Sequence, residues 1–295
     1  MKYNLIEMPA CNMCGSGRRR DIGLRLSGRT GLRPRKASGV AIPVKQCADC
    51  QMIYLDPMPI PINIRDHYDM KPENYFDEGH LQAWPAFDNN RLSEVMEFRP
   101  GMKAVDVGAG VGVHMISYEK AGWDVWGIEP SESFVRYGID RLGIDPSRLL
   151  QQEFENNTLP SESFDLVSFG AVLEHLPSPA RALEAACRLL RPGGIILADI
   201  PSSTFLIARL INLFYRLNGT PFVTNVSPMH PPFHLYEFTH HSFAKNGKRT
   251  GYELAKHQYW VTTLYNVPKR LEPWVRWALT KTGLGDGLRV LLKKL

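Results

Sequence analysis

A glycine-rich turn between a strand and a helix constrains this fold more than any other feature. The apolar run Lys103 to Val107 leads into Asp106-Val-Gly-Ala-Gly-Val-Gly112, and a helical stretch, Val113 to Ala121, follows. Glycine is needed where φ is positive or where a ligand touches the backbone, and the first turn of a helix offers free N–H groups. We therefore expect a ligand-binding loop here.

The residues after this loop alternate between strand and helix patterns. Trp123 to Ile128, Phe164 to Phe169 and Gly194 to Ile200 are short apolar runs with helical patterns between them. This alternation predicts an α/β fold with a parallel sheet, right-handed crossovers and ligands at the carboxyl ends of the strands. Near the C-terminus, Gly285 to Lys294 predicts a hairpin strand that completes the sheet at its edge.

The spacing of the loop argues against hydride chemistry. The dinucleotide fingerprint requires glycine at position 113, where this chain has Val113, and a third glycine falls at 112 instead. The next strand ends in Glu129-Pro130, twenty-three residues after Asp106, and a carboxylate there can accept both hydroxyls of an adenosine ribose. The alternatives are a tight turn without a ligand and a helix N-cap role for Glu129. We expect one ligand to be shared by Asp106, Gly108, Gly110 and Glu129.

Four of the five cysteines form two Cys-x-x-Cys pairs, Cys11 with Cys14 and Cys47 with Cys50, while Cys187 lies in an apolar helical pattern. In a reducing compartment such pairs favour a tetrahedral zinc site over disulfides. A closed shell of four sulfurs leaves no position for water or substrate, so we expect a structural zinc ion. A redox pair and an iron–sulfur cluster are the alternatives.

Charge and proline content suggest how the chain is divided. Residues 1–50 carry a net charge of +7, whereas the whole chain carries +5, so the basic character is local and suits either an anionic partner or a solvated loop face. The proline-rich run Tyr54 to Pro61 predicts a boundary. We expect a zinc module at 1–60, a helical linker or cap at 61–99, and an α/β domain at 100–295. The linker holds the aromatic residues Tyr68, Tyr75, Phe76, Trp84 and Phe87.

No stretch of eighteen or more apolar residues occurs, and Met1 to Ala10 lacks a charged region followed by an apolar run. These observations predict a soluble, cytoplasmic protein without a transmembrane segment.

Four segments, VDVGAGVG, WGIEP, SFDLVSFGAVLEHLPSP and LLRPGGIILADIPS, resemble successive motifs of class I S-adenosylmethionine-dependent methyltransferases. CNMCGS…VKQCADCQMIYLDPMP followed by HYDMKPENYF is similar to the subgroup with an N-terminal four-cysteine zinc ribbon. The resemblance covers about residues 8–295. It implies a Rossmann-like, mostly parallel seven-stranded sheet with a small zinc-ribbon module, S-adenosyl-L-methionine as cofactor, and a substrate-facing insertion near 201–240.

The same resemblance implies roles for individual residues. Asp106 and the loop Gly108-Ala109-Gly110-Val-Gly112 are expected to hold the methionine end of the cofactor. Glu129, with Pro130, is expected to hold the ribose. Gly170 is expected beneath the sulfonium, and Glu155 near the adenine.

Methyl transfer requires alignment of the nucleophile and, for some acceptors, removal of its proton. The candidate bases are His175, next to Glu174 after the fourth strand, and His234 and Tyr236 in the insertion. Glu174-His175 can instead fix the loop over the cofactor. By similarity to quinone-ring O-methyltransferases, it can also join a carboxylate to bind a divalent ion. The amphipathic segment Thr204 to Leu217 covers the pocket or lies on a membrane.

The leading interpretation is a methyltransferase acting on oxygen or carbon of a neutral or anionic small molecule: a sugar, a secondary metabolite or a carrier-bound intermediate. An RNA base methyltransferase is the second. The similar zinc ribbons of ribosomal RNA methyltransferases tend to have a histidine in place of the fourth cysteine, which in this chain is Cys50. This difference and the lack of interleaved aromatic and basic residues argue against nucleic acid as a partner. A non-catalytic, zinc-dependent binding or scaffold protein is the third. The oligomeric state is not predicted.

Overall fold

The computed structural model describes residues 3–62, 84–262, 264 and 267–295. The N-terminal part consists of short antiparallel strands. Strands β1 (Tyr3–Ile6) and β5 (Met58–Pro61) pair with each other. Strands β2 (Arg19–Leu26), β3 (Ala41–Cys47) and β4 (Ile53–Leu55) form a second sheet. A single 3-10 turn, Pro34–Lys36, lies between β2 and β3.

The main sheet has seven strands in the order β12-β13-β10-β9-β6-β7-β8. The five strands from β10 to β8 in this order are parallel to one another, and β13 runs antiparallel to both of its neighbours. Their bounds are β6 Lys103–Val107, β7 Asp124–Glu129, β8 Leu149–Gln151, β9 Phe164–Gly170, β10 Leu190–Pro201, β12 Tyr252–Trp260 and β13 Gly287–Lys294. The predicted Rossmann-like, mostly parallel seven-stranded sheet is confirmed.

Helices connect and cover these strands. They are α1 Val113–Lys120, α2 Glu132–Leu142, α3 Pro179–Leu189, α4 Leu206–Leu217, α5 His240–Thr250 and α6 Glu272–Lys281, with 3-10 turns at Asn89–Arg91 and Phe154–Asn156. Six consecutive residues of β9 are buried, as expected of a parallel strand covered on both faces. One expectation was wrong: β13 is an inner strand, because β12 pairs along its outer side and forms the edge.

The N-terminal sheet is completed by the C-terminal part of the chain. A short strand, β11 (Tyr236–Glu237), pairs antiparallel with β4, placing Tyr236 opposite Tyr54. One hydrophobic core contains residues of both regions, including Cys11, Met58 and Phe169. The segment near 201–240 therefore contacts the four-cysteine region directly. The division at residues 60 and 99 stays a prediction.

Most of the expected helical cap, with Tyr68, Tyr75 and Phe76, lies outside the described residues. Of its other aromatic residues, Phe87 packs on Tyr118 with ring centroids 4.6 Å apart, and Trp84 lies 5.7 Å from the ring of His114. This end of the segment thus packs against His114 and Tyr118 of α1.

Helix α4 has an unusually apolar surface. Tyr215 is buried, whereas Leu210, Phe214 and Leu217 are exposed. In the part of the chain that the structure describes, each helix is too short or too polar to cross a bilayer.

Candidate functional site

The four cysteines of the two Cys-x-x-Cys pairs converge on one point. The sulfurs of Cys11 and Cys50 are 3.5 Å apart, as are those of Cys14 and Cys47, and all four lie within 4.8 Å of one another. These separations exclude disulfides, and all four thiols are free. A zinc ion with bonds of about 2.3 Å to four sulfurs requires sulfur separations of about 3.8 Å. The cluster therefore fits a tetrahedral zinc ion.

The electrostatics of the cluster agree with thiolate character. The hydrogen bond from Cys11 lowers the pKa of the Cys50 thiol to about 6 even though burial opposes this. The same hydrogen bond, together with burial, raises the pKa of Cys11. Neighbouring sulfurs thus share a proton, and a metal ion that binds the thiolates displaces that proton.

The glycine-rich loop joins β6 to α1 as predicted. Gly108, Gly110 and Gly112 have φ values of +65°, +56° and +89°. A Cβ atom on Gly108 would lie 2.6 Å from Cγ2 of Val172, and one on Gly112 would lie 2.0 Å from Cδ1 of Ile144. The left-handed conformation and the close neighbours thus both require glycine at these two positions.

A cavity of about 430 Å³ is lined by Asp106, which precedes this loop, and by His114, which follows it, whereas Gly108 to Gly112 are not among its lining residues. Asp106 lines it at the end of β6 and accepts a hydrogen bond from Ser168 Oγ at 2.8 Å, while its Oδ2 atom is buried with no partner among the described residues. Burial raises the pKa of Asp106. Gly170 lines the same cavity and is exposed. A cavity bounded by a buried carboxyl and a bare backbone suits an amine-bearing ligand.

Glu129 is tied directly to the glycine-rich loop. Its Oε2 accepts a hydrogen bond from the amide of Gly110 at 3.0 Å, and its Oε1 accepts one from the amide of Ser131 at 2.8 Å. Burial raises its pKa, and the two amides oppose that shift. The end of β7 and the loop after β6 are therefore brought together. Pro130 is exposed beside Glu129, and Glu155 is half-buried on the turn after β8.

The candidate bases His175, in the loop after β9, and His234, just before β11, lie next to each other. Their ring centroids are 5.1 Å apart, and His234 Nε2 lies 3.9 Å from Oε1 of Glu174. One donor atom from each of Glu174, His175 and His234 lies within 4.8 Å of the others. The third member of this group is thus a histidine and not the carboxylate expected with Glu174-His175.

The members of this group differ in their electrostatics. Burial lowers the pKa of His234 to about 3, with a further contribution from the charge of His175. Burial raises the pKa of Glu174 to about 8, and its Oε2 is buried without a partner among the described residues. A neutral imidazole therefore faces a carboxyl that is mostly protonated near neutral pH.

Tyr236, the third candidate base, has its hydroxyl engaged in a structural hydrogen bond. Its side chain is fully buried, and its hydroxyl donates a hydrogen bond to the carbonyl oxygen of Pro177 at 2.8 Å. Burial raises the pKa of this hydroxyl. The contact joins β11 to the loop that carries His175.

A second cavity, of about 350 Å³, lies between the N-terminal sheet and the segment from residue 224 to 237. His234 lines it, and His175 packs against His234 without being among the lining residues. Arg25 and Arg29, near the end of β2, line the other part together with His230 and Tyr215.

Sequence reasoning did not single out several residues of these cavities. Ser168 and Asp199 line the first cavity. They belong to the motifs SFDLVSFGAVLEHLPSP and LLRPGGIILADIPS, and their place in these motifs could have indicated a role in the site. No sequence signal distinguishes Arg25 from the other arginines of the basic N-terminal region. Only the fold places it against residues two hundred positions later.

Comparison with known proteins agrees with this architecture. Residues 105–198 match the family model described as a methyltransferase domain. A ubiquinone/menaquinone biosynthesis C-methyltransferase of Bordetella parapertussis is 31% identical over 141 residues, covering 46% of this chain and 52% of that protein. A ubiquinone biosynthesis O-methyltransferase of Methylococcus capsulatus is 37% identical over 125 residues, covering 40% of this chain and 52% of that protein. The matches thus span about half the length of these relatives.

Two solved structures share the fold. One is a chain from the complex between the Haloferax volcanii Trm112 methyltransferase activator and a methyltransferase, with a TM-score of 0.51 and 17% identity over 79% of this chain and 97% of that chain. The other is an S-adenosylmethionine-dependent methyltransferase of Methanosarcina mazei, with a TM-score of 0.50 and 14% identity over 71% and 99%. The resemblance to methyltransferases that the motifs indicated is confirmed.

Proposed function

We propose that this chain, whose residues 105–198 are a methyltransferase domain, transfers a methyl group from S-adenosylmethionine to oxygen or carbon of a small molecule. The observation that carries the proposal is the bond between Glu129 and the amide of Gly110, which joins the two strand ends of the expected cofactor site. The relatives named for ubiquinone and menaquinone biosynthesis make an aromatic acceptor one candidate alongside a sugar, a secondary metabolite or a carrier-bound intermediate.

In this proposal the first cavity takes the methionine end of the cofactor. Asp106 receives the ammonium group, because its Oδ2 lacks a partner within the described residues. The backbone of Gly108 to Gly112, including Ala109, faces the carboxylate and the sugar. Glu129 accepts the ribose hydroxyls through the lone pairs that its two amide hydrogen bonds leave free, with Pro130 beside it. Gly170 leaves room for the sulfonium, and Glu155 approaches the adenine.

We further propose that the four cysteines hold a structural zinc ion. The closed sulfur shell offers no open position, so the ion contributes folding free energy and no step of the reaction. Free thiols paired in this way suit a reducing compartment, which supports a cytoplasmic protein.

The histidine pair is the proposed proton acceptor. The cofactor supplies an electrophilic methyl group on a sulfonium. For a hydroxyl acceptor, a histidine would take up the hydroxyl proton as the bound cofactor supplied the methyl group. His234 is the leading candidate because it lines the second cavity, with His175 packed against it. Because burial lowers the pKa of His234 to about 3, it is a weak base in the free protein. Tyr236 orients the loop through its bond to Pro177.

A divalent cation on Glu174, His175 and His234 is the second candidate role for this group, supported by their donor atoms lying within 4.8 Å of one another. The two roles separate experimentally. If EGTA abolishes turnover and added magnesium or manganese restores it, with the zinc content unchanged, the metal role is favoured. Turnover that is independent of added cations favours proton transfer.

The test of cofactor binding is calorimetry of the zinc-loaded protein with S-adenosylmethionine. We expect micromolar binding in the wild-type protein, with at least tenfold loss in both Asp106→Asn and Glu129→Ala, since each removes a charge-assisted contact. Glu132→Ala is the matched control, because this carboxylate on α2 is exposed and pairs with Arg136 on the same helix. No binding by folded wild-type protein would refute the proposal and favour a scaffold role. An RNA substrate would appear instead as methylation of RNA with no small-molecule acceptor.

A further inference from the structure

The second cavity contains a buried guanidinium that the fold does not fully satisfy. Arg25 is 7% exposed, although arginine is almost never buried without a partner. Its Nη1 donates to the carbonyl oxygen of Val223 at 3.2 Å, and its Nη2 to Nε2 of His230 at 2.7 Å. Guanidinium has five N–H donors, and the Nε of Arg25 is buried without a partner among the described residues.

The neighbouring histidine is held as an acceptor. His230 Nδ1 lies 2.9 Å from the carbonyl oxygen of Pro231, which can only accept, so Nδ1 carries the proton. Its Nε2 is then free to accept from Arg25. His230 is therefore neutral in this arrangement and does not add to the charge of the cavity.

The carboxylate whose charge acts most on Arg25 is hydrogen-bonded to other groups. Glu237 is the acidic group whose charge acts most on Arg25. Both of its oxygens already accept hydrogen bonds, one from Asn225 Nδ2 at 2.6 Å and one from the amide of Val226 at 2.7 Å. A second arginine, Arg29, lines the same cavity, so two guanidinium groups face one carboxylate that is already bonded elsewhere.

We propose that this cavity is an oxyanion subsite, in which Arg25 and Arg29 bind a phosphate or carboxylate group carried by the methyl acceptor. Guanidinium recognises both groups through paired N–H donors. The cavity volume of about 350 Å³ accommodates such a group together with a small-molecule body. His234 lines the same cavity, so an acceptor anchored at Arg25 extends toward the histidine pair.

The subsite gives the N-terminal region a role beyond folding. Arg25 and Arg29 belong to the segment between the two cysteine pairs, whereas the opposite wall comes from residues 215 to 237. Backbone hydrogen bonds between Leu24 and the Pro221–Val223 stretch hold the two walls together. The part of this inference that concerns the acceptor rests on the proposed methyltransferase function, whereas anion binding does not.

The test uses inorganic phosphate and acetate as probes of the full-length, zinc-loaded protein. Each is titrated against sodium chloride at constant ionic strength, and the thermal midpoint is followed. We expect one or both oxyanions to raise the midpoint saturably. The response to phosphate and to acetate then distinguishes a phosphate-bearing from a carboxylate-bearing acceptor.

Arg29→Gln is the main variant, because Arg29 is exposed and its replacement leaves the core intact. We expect at least a tenfold weaker apparent affinity for the anion, as for the loss of a hydrogen bond between charged groups. Arg25→Lys keeps the charge but loses the paired geometry, and we expect a similar loss. Arg33→Gln, an exposed arginine outside the cavity, is the control and should bind as the wild-type protein does.

Calorimetry with S-adenosylmethionine on the same samples separates the two hypotheses. Cofactor binding without any saturable oxyanion effect overturns the subsite alone. Oxyanion binding without cofactor binding overturns the proposed methyltransferase and leaves the subsite. An equal effect in wild-type, Arg29→Gln and Arg33→Gln proteins means general screening by salt, and it also overturns the subsite.

Discussion

Thr239 Oγ1 donates a hydrogen bond to the carbonyl oxygen of Cys50 at 2.8 Å. Thr239 precedes helix α5, and Ser242 in the first turn of that helix donates to the same carbonyl at 3.2 Å. The last residue of the cysteine cluster is thus held by the helix that follows the β11 segment. Because all of these atoms belong to buried residues, metal binding and the packing of the C-terminal part are expected to be coupled.

Replacement of Thr239 by valine should weaken this connection. The variant keeps the shape of the side chain but loses the donor to Cys50, and Ser242 satisfies the carbonyl only in part. We expect the free energy of unfolding to fall by about 2 kcal/mol, measured by urea titration. Thr158→Val, at an exposed threonine, is the control and should change stability by less than about 0.5 kcal/mol. Equal effects of the two variants would show that the contact contributes nothing.

The cysteine cluster makes a second prediction, on metal content. Purified protein should contain about one zinc ion per chain, and Cys14→Ser should lose it and unfold at a markedly lower temperature. Cys187→Ala is the control, because Cys187 is buried in α3 away from the cluster and should keep the metal. Elemental analysis by mass spectrometry together with thermal unfolding checks both. Metal-free wild-type protein with an unchanged midpoint would contradict a structural zinc site.

The sequence predicted the local features of the main sheet closely, because each depends on neighbouring residues. Lys103 to Val107 forms β6 with the bounds expected from its apolar run. The glycine-rich loop has the expected positive φ values. In each case a short pattern specifies the backbone without help from distant residues.

Features that depend on long-range pairing were not predictable in this way. Strand β11 has only two residues, and its pairing with β4 joins positions more than 180 residues apart. The buried environment of Tyr236 follows from that pairing. Likewise the sequence does not distinguish Arg25 from the other arginines of the basic segment, and only the fold places it against His230. The assignment of β13 as an edge strand failed because β12 has no strong apolar alternation to reveal it.

Replacement of Gly112 by alanine tests the tightness of the loop. The new Cβ would lie 2.0 Å from Cδ1 of Ile144, and φ is +89°. We expect destabilisation of about 3 kcal/mol from overpacking and backbone strain together. Gly143→Ala is the matched control: its φ is +70°, but a Cβ there meets nothing within 4 Å, so only the backbone cost of about 1 kcal/mol applies. Urea unfolding of both variants isolates the steric part, and equal losses would mean that Ile144 moves aside freely.

The pH dependence of stability tests the environment of Glu174. Burial raises its pKa in the folded protein to about 8, above the value of an unfolded chain, so the folded state binds the extra proton. The stabilisation from this group is complete below the unfolded pKa of about 4.3 and is lost as pH rises through about 8.

In Glu174→Gln, which stays neutral, that loss is absent. We therefore expect the variant to gain stability relative to wild-type protein between pH 5 and pH 8, by at most about 1.4 kcal/mol per pH unit. Glu132→Gln, at an exposed carboxylate, should follow the wild-type curve. Parallel curves for Glu174→Gln and wild-type protein, measured without added divalent ions, would show that Glu174 is ionised in the folded state and that its charge is compensated.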